Sequence, residues 1–127
     1  MTPPPVALSL MICEQVIVDL HTQNPTPVSI FTGLSVEEFP SPPQRFSIFA
    51  CLTNGRGEHD LRLVANRLDT GESFYEQRHR IHFPNPLLLS NVHIRVRGDI
   101  CFPESGRYEF VLYVDSDPVA QRSLRVY

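Results

Sequence analysis

Apolar and polar residues alternate along much of this chain with a period of two, the repeat of a half-buried β-strand. Val92-His93-Ile94-Arg95-Val96-Arg97 keeps the alternation without exception. Tyr108, Phe110, Leu112 and Val114 repeat it, as do Leu61, Leu63 and Ala65, and Leu124 with Val126. Residues 45–53 put Phe46, Ile48, Ala50 and Leu52 on one face and Ser47, Phe49, Cys51 and Thr53 on the other, which predicts a central strand. Near the start, Leu10, Cys13, Ile17 and Leu20 stand at helical spacing, but the β-branched run Val16-Ile17-Val18 disfavours a helix. Strands over 6–12 and 15–20 are the better reading.

The breaks between these segments agree. The 12 prolines are about twice the usual share, and they cluster at 3–5, 25 and 27, 40–43, 84–86, 103 and 118. Proline removes a backbone donor and clashes with the preceding turn, so few stretches could carry a long helix. The intervening segments run roughly 8–12 residues, the spacing of a sandwich or barrel. Asn54-Gly55-Arg56-Gly57, Asp69-Thr70-Gly71-Glu72 and Asp115-Ser116-Asp117-Pro118 have turn chemistry. They predict the hairpins 45–53/60–68, 60–68/73–82 and 107–115/119–127. The expected fold is all-β, an antiparallel two-sheet sandwich of about seven to nine strands. Residues 1–5 read as an extended Pro-rich tail and 6–127 as one domain.

Composition narrows the function classes. The 127 residues carry a net charge of −3, which favours neither DNA nor an anionic membrane surface. All 11 basic residues are arginine, whose planar fork suits bidentate contacts. No segment reaches the length of an apolar span, and the first basic side chain other than His21 is Arg45, so a secretory leader is not expected. Cys13, Cys51 and Cys101 are scattered, and each lies in or beside an apolar strand pattern. Three buried reduced thiols and a cytoplasmic setting are the expectation.

No catalytic signature is present. His79 and His82 are three apart, which puts them on opposite faces of a strand and unable to share a metal ion. No nucleophile elbow or phosphate-cradling glycine loop occurs. Glu37-Glu38 and Asp115 with Asp117 read as loop acids. Neither catalytic residues nor a metal or other cofactor are expected. The least ordinary feature is basic: parity turns His93, Arg95 and Arg97 outward on one strand and Arg78, Arg80 and His82 outward on another. If both strands lie in one sheet, four arginines share a face able to hold an acidic partner, a carboxylate or a phosphate. Exposed aromatics do not interleave with these arginines, which argues against nucleic acid.

The stretch Phe102-Pro103-Glu104-Ser105-Gly106-Arg107-Tyr108-Glu109-Phe110, followed by Leu112-Tyr113-Val114-Asp115, resembles β-sandwich domains of the immunoglobulin and fibronectin type III kind. Nearly the whole chain also resembles an uncharacterised bacterial family of single-domain proteins. The shared features are the opening apolar strand Ala7 to Cys13, the Val28-Ser29-Ile30-Phe31 strand and the closing turn-Tyr-hairpin pattern. These resemblances imply an immunoglobulin-like fold and a bacterial source, and no activity. Two function classes follow. The first is a non-catalytic interaction or structural module whose partner is an acidic protein or a second copy. The second is a binding domain for a small anionic ligand, with Arg78, Arg80, His93, Arg95 and Arg97 as the binding residues in either case.

Overall fold

The structure is a computed structural model, which describes residues 4–127. The expected tail lies largely outside the described residues; within them, Pro4 is exposed and Pro5 is already buried. Nine strands follow: β1 (Val6–Val18), β2 (Pro25–Ile30), β3 (Gly33–Leu34), β4 (Gln44–Thr53), β5 (Gly57–Arg67), β6 (Ser73–Phe83), β7 (Ser90–Ile100), β8 (Gly106–Val114) and β9 (Asp117–Val126). They form a four-stranded sheet of order β2-β1-β4-β7 and a five-stranded sheet of order β3-β9-β8-β5-β6. Every pairing is antiparallel except β3 with β9. Among the described residues no helix is long and apolar enough to cross a membrane.

The period-two pattern decides what lies between the sheets. Phe46, Ile48, Ala50 and Leu52 from β4 and Val92, Ile94 and Val96 from β7 face Leu61, Leu63 and Ala65 from β5 and Tyr108, Phe110, Leu112 and Val114 from β8. Edge-to-face aromatic contacts join the layers, with Phe46 and Phe110 centroids 5.7 Å apart and Phe102 and Tyr108 centroids 4.9 Å apart. The Tyr108 hydroxyl donates back to the Glu104 carbonyl at 2.5 Å, which anchors the turn that opens β8.

Two expectations about elements are corrected. The segments 6–12 and 15–20 are one continuous strand, because Cys13 and Gln15 keep pairing with β2 while residues up to Cys13 pair with β4. The hairpin 45–53/60–68 does not form. β4 is buried along most of both faces and takes β1 and β7 as neighbours, so β5 crosses to the other sheet. The intervening residues have the positive φ expected of a turn, 65° at Asn54 and 78° at Gly57, but they turn a corner between layers. The hairpins 60–68/73–82 and 107–115/119–127 form, with register shifts at Ala65/Asn66 and Leu112/Tyr113.

Candidate functional site

The five residues singled out by parity do not share a sheet. Chain direction changes at Phe83-Pro84-Asn85-Pro86, and β6 and β7 become the edges of opposite layers. Arg78 and Arg80 lie on the outer surface of the five-stranded sheet, and acids there already hold them. Arg80 reaches Glu58 at 3.0 Å and Asp60 at 3.2 Å, and Arg78 reaches Glu76 at 2.5 Å. His82, predicted outward, is exposed opposite Glu58. Alternation along β5 places Glu58 and Asp60 on the same outer face as Leu61 and Leu63 turn inward, but pairing of β6 with β5 was needed to bring them to Arg80.

His93, Arg95 and Arg97 point out of the four-stranded sheet, as the burial of Val92, Ile94 and Val96 requires. The ladder adds a residue that parity within one strand could not supply. Arg45 on β4 is the direct cross-strand partner of Arg97, and Ser47 is that of Arg95. Gly98 has φ 81°, and a Cβ built there would come within 3.2 Å of the Arg45 Nε. The missing side chain lets the Arg45 guanidinium lie against the β7 backbone. His93 Nε2 and the buried Ser47 hydroxyl share a hydrogen bond of 2.8 Å. Burial first, and then the neighbouring Arg95, push the His93 imidazole below its ordinary range, so it is neutral at pH 7. Glu14 and Asp99 lie near this surface. Yet among the described residues no carboxylate oxygen comes within 4.0 Å of Arg45, Arg95 or Arg97.

At the edge between the layers a polar seam closes the sandwich. Gln77 donates to the Tyr75 hydroxyl and, at 2.9 Å, to the Arg95 carbonyl; His79 Nε2 contacts Gln77 Oε1 at 2.8 Å; the Tyr75 hydroxyl donates to Asp99. The Arg95 carbonyl is thereby withdrawn from edge-to-edge pairing.

Arginines oppose each other directly at three places in the ladders: Arg62 and Arg78, Arg45 and Arg97, Arg107 and Arg125. Like charges so placed repel. Glu76 lies between the first two, at 4.0 Å from Arg62 and 2.5 Å from Arg78, and Arg62 also stacks over Tyr113 at 4.4 Å. The other two pairs have no carboxylate within 4.0 Å among the described residues. The Arg107–Arg125 pair borders a groove of about 910 Å³ along β9 and the start of β8. Sequence reasoning missed Arg45, Arg107 and Arg125, because each stands alone among its chain neighbours and becomes one of a pair only through cross-strand register.

The thiols divide by position. Cys13 is buried, and burial pushes its thiol up; Cys51 is half-buried, with its Sγ 3.1 Å from Asn91 Oδ1. Cys101, expected in the core, is exposed, because it follows β7 in a loop where Ile100 and Phe102 take the inward places.

No curated protein matches the chain. A family model does match, over residues 8–127, nearly the full length. The chain therefore belongs to DUF6941, a family of unknown function.

Proposed function

We propose that this domain is a non-catalytic interaction module that docks an acidic protein segment on the outer face of its four-stranded sheet. The observation that carries the reading is the contrast between the two sheets. Arg62, Arg78 and Arg80 are countered by Glu76, Glu58 and Asp60, whereas Arg45, Arg95 and Arg97 stand together with no ion-pair partner among the described residues. An acidic segment would relieve the repulsion between Arg45 and Arg97 and offer each fork a carboxylate. Ile17 and Ile30, both exposed on the same sheet, give the segment an apolar flank. A second copy docked through the same face would bring two arginine rows together, so charge disfavours self-association there.

Two finer readings accompany this one. Strands β1-β4-β7 and β9-β8-β5-β6 are adjacent in the order expected of an immunoglobulin-like sandwich, and the Tyr108 hydroxyl on the Glu104 carbonyl supports the same assignment. The exposed free thiol of Cys101 favours a reducing, cytoplasmic setting.

The test uses a fluorescent peptide of alternating Glu and Leu at low ionic strength. Its affinity should fall as salt rises, since exposed charges are screened beyond roughly 10 Å at 0.1 M. The double substitution Arg95→Glu with Arg97→Glu should abolish binding and leave the melting temperature within a degree or two, as expected of exposed positions. A variant that keeps its affinity and salt slope would sink the proposal. Lowering the pH below 6.5 should tighten binding, because a bound carboxylate favours the proton that burial and Arg95 disfavour on His93.

A further inference from the structure

The second unrelieved pair points to a separate site on the opposite sheet. Arg107 and Arg125 are direct partners across β8 and β9, and both are exposed. They border the groove of about 910 Å³, a size that accepts a small organic ligand. Arg122 also borders it, but it stands opposite the inward-facing Phe110 and its Nε donates to the Leu10 carbonyl of the other sheet at 2.9 Å, so its guanidinium is already engaged there. Ser123 borders the groove two residues along β9 from Arg125, and Tyr127, largely exposed, supplies an aromatic wall with the Arg125 guanidinium 5.8 Å from its ring centroid. Two acids are close. Asp69 lies against Gly106, and Glu109 sits across the ladder from Ser123; neither pairs with a groove arginine.

We propose that this groove binds a small soluble phosphate monoester, its phosphate held between the Arg107 and Arg125 forks and its organic part against Tyr127. One guanidinium fork satisfies a carboxylate bidentately. Two forks delivered from adjacent strands offer more donors than a carboxylate can use and match the three outer oxygens of a phosphate. The dianion also removes the repulsion that the ladder imposes on the pair. The site shares no residue with the acidic-segment surface on the other sheet and stands independently of it.

Calorimetric titration of the full chain with phenyl phosphate, inorganic phosphate and benzoate tests this. Phenyl phosphate should bind, and benzoate should bind at least about tenfold more weakly, a difference of roughly 1.4 kcal/mol. Arg107→Gln with Arg125→Gln should abolish binding without lowering the melting temperature, since it removes a repulsion. Arg107→Lys, which keeps the charge and loses the fork, should weaken binding severalfold. Tyr127→Ala should weaken phenyl phosphate and leave inorganic phosphate unchanged. Arg45→Gln with Arg97→Gln should change neither, which separates this site from the one proposed above. Unchanged affinity in the Arg107/Arg125 variant, or equal binding of benzoate, would overturn the proposal. Sedimentation with phosphatidic acid vesicles, without binding of phenyl phosphate, would overturn the soluble ligand in favour of a lipid headgroup.

Discussion

His59 spends both ring nitrogens on acceptors. Nδ1 meets Asp115 Oδ2 at 2.5 Å and Nε2 meets the Arg56 carbonyl at 2.6 Å, an arrangement that favours the doubly protonated ring, whose two N–H groups can both donate. The bond to Asp115 is the main cause that raises its pKa above 6.5, and the same bond lowers that of Asp115 below 3.8. A raised folded-state pKa gives stability that is complete below 6.5 and lost as pH climbs through the folded value. For Asp115 the contribution is present above 3.8 and lost as pH falls through its lowered value. His93, whose pKa is lowered, acts oppositely and favours the fold above 6.5. The diagnostic is therefore a difference: the melting-temperature gap between the protein and His59→Gln should be widest near pH 5–6 and shrink toward pH 9. A gap independent of pH would mean the ring is neutral. In the core, Phe110 is fully buried between Phe46 and its strand neighbours, and Phe110→Ala should cost about 3–5 kcal/mol in chemical denaturation. The alternation around Phe110 made that position legible from sequence; the His59–Asp115 contact was not, because 56 residues separate the partners.

The corner between β4 and β5 shows how an element depends on its surroundings. Asn54-Gly55-Arg56-Gly57 reads as a hairpin turn, and its positive φ values are those of a turn. What settles its use is Phe83, whose ring lies where a Gly55 Cβ would stand. The chain passes over the end of β6 and leaves β4 to pair with β1 and β7. Gly55→Ala must displace a ring that is almost wholly buried, and should destabilise by about 1–3 kcal/mol. The matching change Gly71→Ala meets open space and carries only the strain of its φ of 72°, so a thermal melt of the two variants separates the steric cost from the backbone cost. Equal losses would refute the close approach. The apolar pattern on both faces of 45–53 announced a central strand, but its neighbours could not be named from it.

For the whole molecule, the sequence by itself determined the class, most of the strands, their inward faces and two of the three expected hairpins. These depend on local chemistry: a period of two, proline breaks, and turn residues that tolerate positive φ. Parity within 92–97 also established that His93, Arg95 and Arg97 face outward. Only the tertiary structure decided which charges meet. It parted Arg78 and Arg80 from Arg95 and Arg97 by sending β6 and β7 to different layers, and it matched Arg80 with Glu58 and Asp60. It also set Arg45 opposite Arg97 and Arg107 opposite Arg125. The physical reason is that alternation fixes a side chain's face relative to its own strand, whereas charge acts through space. Sheet membership and register are chosen by burying the apolar faces of all nine strands at once.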